Sequence, residues 1–393
     1  MLKDISAQAV AAGVLAAFVG FASSFAVIIR GLVSVGATQA QAASGLMALS
    51  IAMGVGGVLL SLRARQPISV AWSTPGAALL ATTGTAEGGF AHAVGAFLVC
   101  GALIVLAGLW KPLGRWVAAI PAPLANAMLA GVLLSLCVAP VRAVAEAPLL
   151  GLPVVLAWAV MARVKRLYAV PVAVAVAAVL ITATSHVATV GSLWPVAMPV
   201  APAFSLGAAV GIALPLFIVT MASQNIPGIA VLNVNGYRPA PGKLFSDTGI
   251  LSLLAAPFGG HVVNLAAITA AMCAGEDAHP DPARRYWAAA TAGATYVVFG
   301  LCAGAATAFI AASPPILIEA VAGLALLGAF GAALMGAVAD PQAREAAVIT
   351  FLVTGSGVSL MGISGAFWGL VAGGAVLAGR RLRRTPQAVG RDR

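Results

Sequence analysis

Charge is what this chain has least of. Of its 393 residues, 8% are Asp, Glu, Lys or Arg and 61% are hydrophobic, where soluble domains carry roughly 25% charged residues. That scarcity excludes a soluble globular protein, and the mean hydropathy of +1.04 agrees. No polar stretch between the apolar blocks could form a separate soluble domain, so residues 1–393 are expected to form one integral membrane domain of all-α, polytopic type. Cysteine is also scarce. Cys100, Cys137, Cys273 and Cys302 stand isolated in apolar blocks with no CxxC or Cys/His spacing, which argues against disulfides and metal sites and for buried small hydrophobes. Carboxylates are missing from the middle of the apolar blocks: the eleven acids lie at block ends, in loops or in tails. Asp247, which opens the ninth block, is the nearest to an exception and reads as a helix-start carboxylate. HExxH and nucleophile–base patterns are absent, so an intramembrane hydrolase is not expected, no cofactor is called for, and GSGVS at 355–359 reads as a helix-packing stretch. The net charge of +10 implies no nucleic-acid partner, because the basic residues form no face or stripe.

What is present is a series of apolar blocks. They give fourteen candidate spans, near 9–29, 41–61, 68–84, 91–110, 117–138, 147–162, 168–187, 204–223, 245–258, 261–275, 286–309, 317–338, 344–361 and 363–379. The N-terminal block follows Lys3 as in a signal peptide but is too long for one, so it is read as the first span. With the N-terminus cytoplasmic, the loops after even-numbered spans hold twelve of the 21 basic residues, Arg163, Lys165 and Arg166 among them. Loops after odd-numbered spans hold only Arg30 and Arg142. A miscounted span would destroy this bias, so both termini are expected in the cytoplasm. His92 and His186 read as interfacial. GEDAHPDPARRYW, 275–287, reads as a rigid cytoplasmic turn in which Arg284 and Arg285 anchor the next span.

Fourteen spans divide into seven and seven, and an odd number per half inserts the second half upside down. The halves are about 1–190 and 200–380. Their third members, PISVAWSTPGAALLATTG (67–84) and PFGGHVVNLAAITAAMCAG (257–275), correspond. Each opens on Pro, passes through a β-branched or aromatic stretch and then turns Ala-rich. A helix from Gly260 to Gly275 would cover only about 24 Å of a core about 30 Å thick, so extended backbone is expected to make up the rest. Such backbone is tolerated at that depth only inside protein or along a cavity. Paired, interrupted segments in the two halves therefore mark the binding site of a secondary transporter.

Three clusters could carry its chemistry. His261 and Asn264 are expected at the start of the tenth-span helix, where free N–H groups suit an anion and Gly259 and Gly260 admit a close approach. His261 either caps a helix at the water interface or meets the substrate or a proton. In the third span, Ser69, Trp72, Ser73 and Thr74 precede Pro75, a good helix start, and Trp72 either packs in the core or walls an aromatic ligand. In the eighth span, Ser223, Gln224 and Asn225 precede Pro227-Gly228; they serve the site or hydrogen bonds between helices. A site of amides, hydroxyls and one histidine suits an anion better than a cation.

TMASQNIPGIAVLNVNGYRP and APFGGHVVNLAAITAAMCAGEDAHPDPARRYW resemble the benzoate/proton symporter (BenE) family of bacterial inner-membrane transporters. The chain is more distantly similar to nucleobase/ascorbate and sulfate-type anion transporters. The resemblance implies a core domain of spans 1–4 and 8–11, a gate domain of spans 5–7 and 12–14, and a substrate between spans 3 and 10 beside span 8. It also makes a homodimer plausible. In the uracil-type relatives, carboxylates in spans 8 and 10 hold the nucleobase. Here those positions fall at about Ser223 and at His261, so nucleobase binding of that kind is not expected. The reading is a proton-coupled importer of benzoate or a similar aromatic carboxylate, contacted by Ser69, Trp72, Ser73, Thr74, Ser223, Gln224, Asn225, Gly260, His261 and Asn264. Either His261 or the substrate carries the proton. The alternatives are a sulfate-type or other anion exchanger, a nucleobase-type symporter and a passive channel.

Overall fold

The structure, a computed structural model, describes residues 5–86, 88–110, 112, 121–184, 194–266, 268–311, 313–358, 360 and 365–383. The expected start of the fifth span at 117, the end of the seventh at 187, Lys111, Arg115, His186 and both chain ends lie outside these residues. The fold is a mostly helical, multi-pass membrane bundle. Helical residues occur in each of the fourteen expected intervals. Among the described residues, six helices are long and apolar enough to cross a membrane, or seven with one bent pair. The third and tenth intervals hold half-extended, half-helical segments, and other helices are shorter.

The first crossing is α1 (Ala7–Ala22) and α2 (Phe25–Ser34). It is interrupted where the Ser23 and Ser24 hydroxyls both donate to the Gly20 carbonyl, at 3.1 and 2.9 Å, in competition with the helix's own bonds. α3 (Gln39–Ala64) starts in a Thr38/Gln41 capping box and ends at Arg65 in the left-handed region. β1 (Val70–Trp72) leads into α4 (Thr74–Thr83), and α5 (Phe90–Leu109) closes this part. Next come α6 (Ala122–Glu146), α7 (Pro148–Val164) and α8 (Ala169–Thr184). α9 (Leu206–Val234) is continuous but widens into π turns at Ala209–Ala213 and Met221–Asn225. A proline follows each turn by two residues, Pro215 and Pro227. Proline supplies no N–H and its ring clashes with the carbonyl one turn back, so the helix loosens just before it.

α10 (Pro241–Ala255) precedes β2 (Val263–Leu265) and α11 (Ile268–Ala274). The loop that follows is tied as expected of a rigid turn. Arg285 is buried and donates to the carbonyls of Ala274, His279 and Pro280, placing a cation at the C-terminal end of α11. α12 (Tyr286–Leu301) and α13 (Ala303–Ala311) form the bent pair, at 59°. Cys302 sits at that bend and is exposed, which corrects the expectation of four buried thiols; the other three are buried. α14 (Pro315–Val338), α15 (Arg344–Gly355) and α16 (Gly365–Arg383) complete the chain. GSGVS is both a packing stretch and a helix end over its described residues: Gly355 lies against Gly131 and Leu134 of α6, α15 stops there, and Gly357 has φ 68°.

Two sets of helices pack most closely among themselves. α14 runs along α6, which also carries α15, while α3 packs on α12, α12 on α1, α5 on α10 and α2 on α4. Helices in lipid gain little from the hydrophobic effect and depend on close contact through small residues. At the α3–α12 crossing, a Cβ on Gly54 would lie 2.6 Å from the Gly293 carbonyl, and one on Gly293 2.5 Å from the Gly54 carbonyl. Overpacking typically costs about 1–3 kcal/mol. Gly54→Leu is therefore expected to lower the thermal midpoint of the detergent-solubilised protein, and an unchanged midpoint would mean that these helices separate freely.

Candidate functional site

The two half-extended segments meet as an antiparallel pair, with Val70 opposite Leu265, Ala71 opposite Asn264 and Trp72 opposite Val263. The ladder continues outward: Ser73 N–H donates to the Val262 carbonyl at 3.0 Å and Ala266 N–H to the Ser69 carbonyl at 2.9 Å. Backbone at membrane depth has no water to bond with. Each strand therefore satisfies the other, and side chains satisfy the outer edge of β2. Asn225 accepts from Leu265 N–H at 2.9 Å. Ser252 accepts from Val263 N–H at 2.9 Å and donates to its carbonyl at 3.2 Å. With its amide turned so that each end meets its complement, Asn264 accepts from Ser73 N–H at 2.9 Å and donates to the Leu265 carbonyl at 2.8 Å.

Hydroxyl pairs tie this crossing to the helices. Ser73 caps α4 by accepting from Gly76 N–H at 3.1 Å, and its hydroxyl shares a hydrogen bond with Thr220 of α9 at 2.8 Å. Ser69 and Thr269 share another at 2.8 Å. The Trp72 indole N–H donates to Ser24 at 2.8 Å, and its ring tilts against Phe21. His261 is fully buried, edge-on to Phe97. Its Nδ1 accepts from the Val262 N–H, while Nε2 has no partner among the described residues. Gly260 lies against Leu49 and Ala255.

Beside the crossing is a cavity of about 610 Å³, within the range of small-molecule sites. Its lining comes from the α1–α2 break, β1, α4, the second π turn of α9 and α11 on one side, and from α6 and α14 on the other. Of the residues singled out from the sequence, Trp72, Thr74, Ser223 and Gln224 line it; Ser69, Ser73, Asn225, Gly260, His261 and Asn264 do not. The latter six surround or hold the strand pair. One reason is that α11 starts at Ile268, later than the expected start near His261 and Asn264. Pairing with β1 keeps that stretch extended, so both side chains lie before the helix.

The cavity also brings in Ser23, Ser24, Asn126, Arg166, Thr269 and Tyr296. Some of these had a legible signal: paired serines inside an apolar block and a lone Asn in the fifth span. Arg166 had none, because it stands among other loop cations.

Half-extended segments paired at the centre of an apolar bundle, beside a cavity of ligand size, define a multi-pass membrane transport protein. The fold is that of a solved chain described as the overall structure of SLC26A9, with a TM-score of 0.64, 14% identity, and coverage of 97% of this chain and 66% of that one. The chain belongs to the BenE family, described as benzoate membrane transport protein, whose profile matches residues 3–378. It is 43% identical over 375 residues to the inner membrane protein YdcO of Escherichia coli K12, covering 95% of this chain and 96% of that protein. It is 32% identical over 379 residues to the benzoate membrane transport protein of Acinetobacter baylyi, covering 94% of each.

The geometry separates residues that hold the crossing from residues that face the cavity. Losing the partner of a buried backbone N–H costs about 1–3 kcal/mol. Asn225→Leu should therefore lower the thermal midpoint in detergent, whereas Gln224→Leu, at the cavity surface, should leave it near wild type. Equal effects would contradict that division.

Proposed function

We propose that this protein imports benzoate or a similar aromatic monocarboxylate together with a proton, by alternating access across a bacterial inner membrane. The observation that carries this is the composition of the cavity: largely apolar walls with Trp72, facing a few uncharged donors at the strand crossing. An aromatic ring suits the first and a carboxylate the second. The Thr74 and Gln224 side chains make no hydrogen bond among the described residues and are the proposed carboxylate partners, with the positive end of α4 behind them. Ser223 closes the site from α9, although its hydroxyl already donates to the Val219 carbonyl. Ser69, Ser73, Asn225, Gly260 and Asn264 act indirectly, by holding the crossing in place.

The larger architecture belongs to the same proposal. Fourteen segments form a seven-plus-seven inverted repeat with both termini cytoplasmic. Spans 1–4 and 8–11 form a core, and spans 5–7 and 12–14 form a gate. Two observations support this: β1 and β2 occupy matching places in the two halves and pair antiparallel, and the cavity lies between helices of the two sets.

The proton is assigned to His261. Of the cavity-lining residues, Arg166 and Tyr296 are ionisable. Histidine is a common proton shuttle among side chains, and the Nε2 of His261, which has no hydrogen-bond partner among the described residues, lies on the segment that supplies β2. It acts on the site through that strand, without touching the substrate.

Proteoliposomes tested with labelled benzoate and an imposed pH gradient should accumulate it, and accumulation should collapse with the gradient. No accumulation, or indifference to the gradient, would sink the symport proposal. A hydrogen bond to a charged group is worth about 1.5–3 kcal/mol, so Gln224→Ala should raise KM roughly ten- to a hundredfold. His261→Ala should abolish gradient-driven accumulation while the protein still folds, and downhill exchange of benzoate should survive. Accumulation equal to wild type would remove His261 from coupling.

A further inference from the structure

We propose that Arg166 is the charge-selecting residue of this site, the cation that a carboxylate meets on the wall opposite β1 and α4. The inference rests on the aromatic-carboxylate reading and adds the source of its charge preference. Arg166 lies in the short turn between α7 and α8, within a basic cluster that positive-inside bias would explain by itself. The structure distinguishes it from Arg163 and Lys165, which do not line the cavity, whereas Arg166 does. Its guanidinium reaches α14 at Gly328, where Nη2 would lie 3.6 Å from a Cβ. Ala325, Ala329 and Ala332 continue that small-residue surface. No Asp, Glu or Lys lines the cavity among the described residues, so Arg166 is the one Asp, Glu, Lys or Arg in the described lining. Thr74 and Gln224, on the other side, offer hydrogen bonds without charge. A guanidinium matches a carboxylate with two parallel N–H donors, and its attraction strengthens where the surroundings are less polar than water.

The test is the benzoate concentration dependence of proteoliposome uptake at two ionic strengths, for wild type, Arg166→Gln, Arg166→Lys and Arg163→Gln. Arg166→Gln should raise KM at least tenfold and flatten its salt dependence. Arg166→Lys should recover part of the loss, and Arg163→Gln should behave as wild type. Gly328→Leu, which keeps the charge but fills its place, should also raise KM. Wild-type KM and salt dependence in Arg166→Gln, or equal losses in Arg163→Gln, would overturn the inference alone. Absence of uptake by the wild type would overturn the transport reading and this inference with it.

A separate observation carries a second inference. Arg30 of α2 forms an ion pair with Glu319 of α14, both partly buried, and so joins the two helix sets that wall the cavity. On α2's side the cavity lining ends at Ser24, and on α14 it begins at Ala325. Both points are six residues from the pair, about 9 Å of helix. We infer that the pair is a latch that closes the cavity at this end and must part for the site to open there.

With Cys302→Ser as background, Ser24→Cys reports access to a membrane-impermeant thiol reagent added outside. Arg30→Gln and Glu319→Gln should each speed labelling severalfold, and the charge swap Arg30→Glu with Glu319→Arg should restore the slow rate. Labelling unchanged by both single variants would overturn the latch.

Discussion

Extended backbone cannot stand alone at membrane depth. Every N–H and carbonyl that leaves a helix there needs a partner from the protein, and the pairing of β1 with β2 supplies those on the facing edges. The polar residues that appear costly in the sequence are the rest of that provision. Asn225 and Ser252 finish the outer edge of β2, Asn264 ties the strand to Ser73, and Ser73 in turn caps α4 and meets Thr220 on α9. Once the two segments are locked this way, the cavity beside them has a fixed wall, and the α1–α2 break and the loosened turn of α9 can present side chains to it.

The interruptions share a physical origin. Serine hydroxyls at 23 and 24 compete for the Gly20 carbonyl, and prolines at 215 and 227 deny the helix a bond one turn back. Each loosens a helix where the bundle can absorb it. Opposite them, α14 contributes a smooth surface of Gly and Ala, close enough to α6 for Gly323 to approach the Leu136 carbonyl. A patterned, polar wall thus faces a plainer one that carries Asn126 and the Arg166 guanidinium. Such an asymmetric cleft suits a ligand with one charged end and one apolar end.

The membrane class, the breaks in the third and tenth segments and the match between the two were legible in composition, in the placement of Pro and Gly, and in helix length against bilayer thickness. Membership of the BenE family was legible in two long motifs, and the family profile covers nearly the whole chain. The clusters around Trp72, Ser223 and His261 were also visible as polar residues inside apolar blocks. Their division of labour was not. Gln224 and Asn225 are neighbours in sequence, yet Gln224 faces the cavity and Asn225 bonds the backbone of Leu265. A difference of about 100° around a helix separates the two roles, and the π turn shifts even that phase.

By itself the sequence determined that the chain lives in lipid, that two of its segments are broken, and that neither of those segments holds a carboxylate. Hydropathy, helix geometry and the cost of burying charge are local properties, readable one segment at a time. Tertiary structure alone decided that β1 pairs with β2, that His261 lies in the core and outside the cavity, and that Arg166 leaves its loop companions to line it. Each of those outcomes depends on which remote atoms satisfy a hydrogen bond or leave room for a side chain. Such partners lie two hundred residues apart, as Ser69 and Thr269 do, or more, as Arg30 and Glu319 do, and no local pattern encodes them.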